Sequence, residues 1–212
     1  MAVIKPISKH DTLVNNKVKN YLLGTGQFES KYHGERCKKI TYINIPPDDY
    51  SKNHWDKYMD KQRIDYGTNR KFNDKPVRTY NHYIFSPDPK DEISTDELEN
   101  ALKEWCERVF KDKFSIVISY HNDNTNHVQH AHMIINNTNL DQDKGYMRIG
   151  TYVTPQCWEY ASQLWQYMCK KRGWHSFLDK QQDDANVKRK MPHLHPFHIF
   201  SISLPLLITS IT

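Results

Sequence analysis

FSIVISYHNDNTNHVQHAHMIINN, residues 114–137, reads as two strands joined by a polar turn. Side chains alternate along a strand, so Phe114, Ile116, Ile118 and Tyr120 share one face, and Ser115, Val117, Ser119 and His121 share the other. NDNTN is built from turn formers, and the chain resumes as a strand from Val128 to Asn136. Sequential strands joined by so short a turn run antiparallel. On the second strand His130 and His132 point the same way, with Ile134 and Asn136 at the same parity. His121 closes the first strand, so three imidazoles can project from the small-residue face of one hairpin.

Three imidazoles leave coordination positions empty, which a catalytic metal site needs and a closed structural site lacks. Imidazole suits manganese, zinc, nickel, iron or copper better than magnesium. The bland alternative is a scatter of surface histidines, and twelve histidines in 212 residues give it weight. Four of them within residues 121–132, ending in strict alternation, favour the metal. His127 lies in the turn with the wrong parity for the strand. It reads as a group behind a ligand, a substrate-facing group or an alternative ligand, and Asn136 continues the polar row in a similar supporting role. Asp123 could orient a ligand's free ring nitrogen or accept a proton, or it could be a turn-forming aspartate. His82, inside YNHYIFS, reads as a satisfied sheet histidine; His193, His195 and His198 are assigned nothing.

Working outward, Tyr80 to Ser86 alternates as a strand, and Ser94-Thr95-Asp96-Glu97 is a capping box. Behind it Leu98, Ala101, Leu102, Trp105, Cys106, Val109 and Phe110 mark one helix face. A last helix starts at Pro155, capped by Thr154, and runs to about Arg172 before Gly173, with a stripe through Cys157, Trp158, Ala161, Leu164, Trp165, Met168 and Cys169. Near the start, Val3 to Ile7 is a short strand. A helix carrying Val14, Val18, Tyr21 and Leu22 follows, and Gly24 stops it. Residues 26–79 are polar and without a clean period; Tyr42 to Ile45 suggests a strand and His54 to Ile64 a helix. The expected fold is α+β, an antiparallel sheet with helices packed on one face and the histidine face open.

These elements make one domain over residues 1–175, with an insert at about 26–79 and an atypical tail over 176–212. Ile199 to Thr212 carries no charge, contains Pro205 and is shorter than the ~20 residues a bilayer span needs. The tail reads as truncated or frame-shifted, with no stable membrane insertion. Net charge is +5, which leans towards a polyanionic partner without requiring one. Thirteen tyrosines supply faces on which single-stranded bases stack. The four cysteines form no CxxC pair and MAVIKPISKHD is no signal peptide, so a cytoplasmic location is expected.

The opening MAVIKPIS, the helix ending KNYLL, the strand YNHYIFSPD before a capped helix, and HxD…HxHxxxN occur in an order that resembles relaxases of the MobP type, from Met1 to about Arg148. These are mobilisation nucleases of plasmids and conjugative elements. The resemblance implies an HUH-type fold, metal ligands at His121, His130 and His132, and a nucleophilic tyrosine at Tyr21. It implies a site- and strand-specific nick at a transfer origin, leaving a 5′-phosphotyrosyl intermediate and a free 3′-hydroxyl, with later rejoining. Asp123, a water or Lys19 would take the tyrosine's proton, and Lys17, Lys19 and Arg148 would contact phosphates. The implied metal is Mn²⁺, with Mg²⁺ or Zn²⁺ as alternatives. Implied partners are the single-stranded nick site and origin hairpin, accessory mobilisation proteins and a coupling protein. His121 precedes His130 by more residues than is usual in the family, which keeps His127 in competition. Two other readings stay open: a relaxase remnant that binds origin DNA without efficient nicking, and a cupin-like metalloenzyme. The latter would want a glutamate soon after HxH, where this chain has Asn136.

Overall fold

In a computed structural model, which describes residues 3–7, 16–32, 36–69, 71, 73–74, 78–123, 127–141 and 155–176, the alternating segments pair into one sheet. Its strands are β1 (Val3–Ile7), β2 (Lys39–Ile43), β3 (Tyr80–Ser86), β4 (Ile116–His121) and β5 (His130–Asn136). Their order is β1-β3-β5-β4-β2, every neighbour antiparallel, with the histidine strand β5 at the centre.

One face carries the larger core. The capping box forms as expected at the start of α5 (Thr95–Phe110), where Ser94 Oγ accepts from the Glu97 amide and Glu97 returns the bond to the Ser94 amide. Its stripe of Leu98, Leu102, Trp105 and Phe110 packs on Phe85, Ile116, Ile118, Tyr120 and Met133 together with Trp165 from α6 (Pro155–Lys171). The Trp105 indole donates to the Ala161 carbonyl at 2.9 Å, locking the two helices together. The Thr154 cap and the Cys157 side chain lie outside the described residues.

The histidine face is less open than the strands alone suggest. Val117 and Ile134 share the histidines' parity and need apolar cover. Leu22 from α1 (Asn16–Leu23), with Ile45 and with Trp55 and Met59 from α4 (Trp55–Asp65), supplies it. Helices therefore sit on both faces: α1 and α4 cover one end of the histidine side, and the histidines occupy the rest.

The segment read as an insert supplies part of this architecture. β2 is an edge strand of the same sheet, with Ile43 packed against the larger core and Ile40 and Tyr42 against the smaller. It starts and ends earlier than the expected Tyr42 to Ile45, because Asn44 takes a left-handed φ of 54° and turns its amide to the Phe114 carbonyl at 3.0 Å. Short helices α2 (Glu29–Tyr32) and α3 (Asp49–Asn53), with 3-10 turns at Gly26–Phe28 and Pro89–Asp91, complete the described elements. Among the described residues, no helix is long and apolar enough to cross a membrane.

Candidate metal centre

Strand register brings the histidines together. His121 pairs directly with His130, and Ser119 with His132, so all three rings meet at the end of the β4–β5 hairpin. One ring nitrogen from each lies within 4.8 Å of the others. The site is well covered: His121 is 0 % exposed, His132 2 % and His130 9 %.

The remaining ring nitrogens are held from behind, as ligating histidines usually are. His121 Nε2 is 2.8 Å from the Leu22 carbonyl, which can only accept, so Nε2 carries the proton and Nδ1 keeps the lone pair. That Nδ1 is buried and has no hydrogen-bond partner in the described structure. His130 Nδ1–H donates to the Val128 carbonyl at 3.1 Å, leaving Nε2 as its acceptor. His132 Nδ1 faces His82 Nε2 at 2.9 Å, leaving its own Nε2 for the site. A buried acceptor without a donor costs about 1–3 kcal/mol, and a cation removes that cost. The three residues fit a divalent metal held by three nitrogens.

Charge state agrees with that use. Burial holds the His121 imidazole well below its ordinary value of 6.5, at about 3, and the charges of Arg36 and His130 push the same way. Burial, then His121 and His82, lowers His132 as well. Both rings are neutral at pH 7, with lone pairs available. Between about 6.5 and 3 the unfolded chain takes up a proton on His121 that the folded one refuses, so acid favours unfolding. The metal-free protein is therefore expected to lose stability as pH falls through that window, measured by urea unfolding at neutral pH and near pH 5. An unchanged midpoint would contradict the buried neutral imidazole.

Tyr21, on the last turns of α1, meets this cluster edge-on, its ring centroid 5.6 Å from that of His132 and 5.5 Å from that of Phe28. The Arg36 guanidinium lies 3.9 Å from the centre of the Tyr21 ring. Asp123 stands beside the third histidine, with Oδ1 3.4 Å from His130 Nε2 and Oδ2 3.0 Å from Arg36 Nε. Sequence reasoning missed Arg36, one cation among several in KYHGERCKK with no periodicity to single it out. It also left His82 as a satisfied sheet residue; His82 is buried, and the partner that satisfies it is His132.

Other candidates sit elsewhere. His127 adopts a left-handed φ of 50°, is exposed, faces the Asn122 carbonyl, and lines a separate cleft with Asp88, Glu92 and Ile93. Asn136 is turned into α4. Lys19 is pinned to Asp56 and the Asn53 carbonyl, whereas Lys17 is exposed on α1. Arg148 lies outside the described residues.

A family model for relaxases, the MobA/VirD2-like nuclease domain, matches residues 33–174, more than half of the chain. This chain belongs to the relaxase family. The relaxase match contains Arg36, Asp123 and all three histidines, and it begins after Tyr21. As a relaxase nuclease domain, the protein is a DNA-acting nuclease of the mobilisation type. No curated protein matches the chain.

Proposed function

We propose that this relaxase nicks one strand of DNA at the transfer origin of a plasmid or other mobile element, by transesterification with Tyr21 as nucleophile. The edge-on contact of Tyr21 with His132 carries the reading, because it sets a hydroxyl-bearing side chain against the three-histidine cluster. His121, His130 and His132 would hold a divalent ion, manganese before magnesium or zinc. When bound, that ion supplies charge neutralisation at the scissile phosphate.

The phenol of Tyr21 attacks the phosphorus, one P–O ester forms and one breaks, and the departing 3′-oxygen takes up a proton. The products are a 5′-phosphotyrosine and a free 3′-hydroxyl. One ester replaces another, so the reverse attack can reseal the strand. A tyrosine hydroxyl ordinarily ionises near ~10, so it needs help to react at neutral pH. Asp123 or a water accepts its proton; Lys19 is less suited, being engaged with Asp56. Accessory mobilisation proteins and a coupling protein belong to the same reading.

The test incubates the full chain and Mn²⁺ with a pool of random-sequence single-stranded oligonucleotides. The expected result is a covalent protein–DNA band on a denaturing gel, abolished by chelator, with the nucleotide remnant mapped by mass spectrometry to Tyr21. Cleavage without a covalent band, or a remnant on another residue, would overturn the reading.

A further inference from the structure

We infer that Arg36 is a positioning residue of the nuclease centre: it ties the Tyr21 end of α1 to the Asp123–His130 side of the histidine cluster. The inference rests on the reading of Tyr21 as nucleophile and His130 as ligand. Three contacts diverge from one guanidinium. Nη1 donates to the Tyr21 carbonyl at 2.6 Å, the planar group covers the Tyr21 ring at 3.9 Å, and Nε lies 3.0 Å from Asp123 Oδ2 as an ion pair, without the alignment of a hydrogen bond. Asp123 in turn places its other oxygen 3.4 Å from His130 Nε2. A planar guanidinium can donate to one acceptor, cover an aromatic ring with its face and offer its charge to a carboxylate at once, which a lysine ammonium cannot do.

Burial separates this role from a phosphate clamp. The Arg36 side chain is only 4 % exposed, so its charge faces protein groups instead of an incoming backbone. Its own main chain is anchored close by: the Lys38 amide donates to the Tyr120 carbonyl at 2.9 Å, next to His121 on β4. The final carbonyls of α1 are consequently gripped from two sides. Arg36 holds that of Tyr21 and His121 holds that of Leu22, at a helix end where the backbone's partial negative charge favours a cation. The tyrosine and the histidine cluster thus share one mechanical link.

The test compares Arg36→Met, Arg36→Lys and Asp123→Asn with the wild-type chain, using an oligonucleotide recovered from the adduct pool. In Arg36→Met the rate of adduct formation at saturating oligonucleotide should fall about 10–100-fold, as for loss of an outer group that orients a ligand. Oligonucleotide affinity should change by less than about threefold, the pattern of lost transition-state alignment instead of lost binding. The Mn²⁺ midpoint, read without DNA by electron paramagnetic resonance, should rise by about tenfold. Arg36→Lys should keep the fold and the oligonucleotide affinity without recovering the rate. A wild-type rate and Mn²⁺ midpoint in Arg36→Met, or a loss confined to oligonucleotide affinity, overturns the inference. If Arg36→Met does not fold, Asp123→Asn carries the test through the Mn²⁺ midpoint alone, because Asp123 also stands as an acceptor of the tyrosine's proton, and an unchanged midpoint there overturns it equally. If the wild-type adduct maps away from Tyr21, the nucleophile reading fails on its own, and Arg36 is judged by the Mn²⁺ midpoint alone.

Discussion

Substituting alanine for His132 is expected to abolish saturable Mn²⁺ binding and to slow covalent adduct formation by at least about 10³-fold, the equivalent of the several kcal/mol that a metal contributes to such a transition state. His132 is the most consequential of the three histidines because it is the most connected. It lies on the central strand, opposite Ile84 on one side and Ser119 on the other. Its ring touches those of His121, His130 and His82, and it forms the wall against which Tyr21 rests. His132→Ala therefore removes both a proposed metal ligand and the ring against which Tyr21, the proposed nucleophile, rests. Its neighbour gives the graded control: His82→Ala leaves every proposed ligand in place and deletes only the group behind His132, so it should cost about 10–100-fold. Persistent nicking by His132→Ala in the presence of chelator would sink the metal-centred mechanism. Equal losses in the two variants would instead mean that His82 belongs among the ligands.

The histidine cluster was legible because strand geometry has a period of two, so parity alone puts His130 and His132 on one face and a short turn brings His121 opposite. The same parity counted against His127, while its spacing from the other histidines kept it in competition; in the structure β5 begins only at His130, after a left-handed residue at 127 that faces the Asn122 carbonyl. The cover over that face was half legible. Val117 and Ile134 announce an apolar patch among the histidines, and Trp55 and Met59, four residues apart, could meet it from one side of a helix. What hid the match was the surrounding polarity of residues 26–79, where Asp56, Gln62 and Arg63 are also buried and break the apolar stripe. Arg36 could not be found at all from local pattern. The role inferred for it comes from contacts of its side chain with Tyr21 on α1 and with Asp123 beyond β4, a placement that no local spacing encodes.

Asn136 shows how a correct face can still yield the wrong role. It follows His130 and His132 at the same parity and is polar, so it reads as an extension of the metal centre; its side chain instead fastens α4 to the sheet. The amide donates to the Met59 carbonyl at 3.1 Å and to Gln62 Oε1 at 2.9 Å, and its oxygen accepts from Arg63 Nη1 at 3.2 Å. Arg63 is 0 % exposed, with Asp60 as its ion-pair partner. Asn136→Ala would leave a buried carbonyl, a buried glutamine oxygen and a buried guanidinium each short of one partner. At about 1–3 kcal/mol for an unsatisfied buried group, and more where charge is involved, the expected loss is about 3–5 kcal/mol. For a domain of this size that corresponds to a fall in the thermal midpoint of about 10 °C. Measured below its unfolding transition, the variant should keep its Mn²⁺ midpoint and adduct rate within about twofold, because the three nitrogens and their own partners are untouched. The opposite pattern, lost Mn²⁺ binding with an unchanged thermal midpoint, would return Asn136 to the metal centre. Val117 and Ile134 depend on α4 for cover, so the same unfastening would expose the smaller core before it disturbed the larger one.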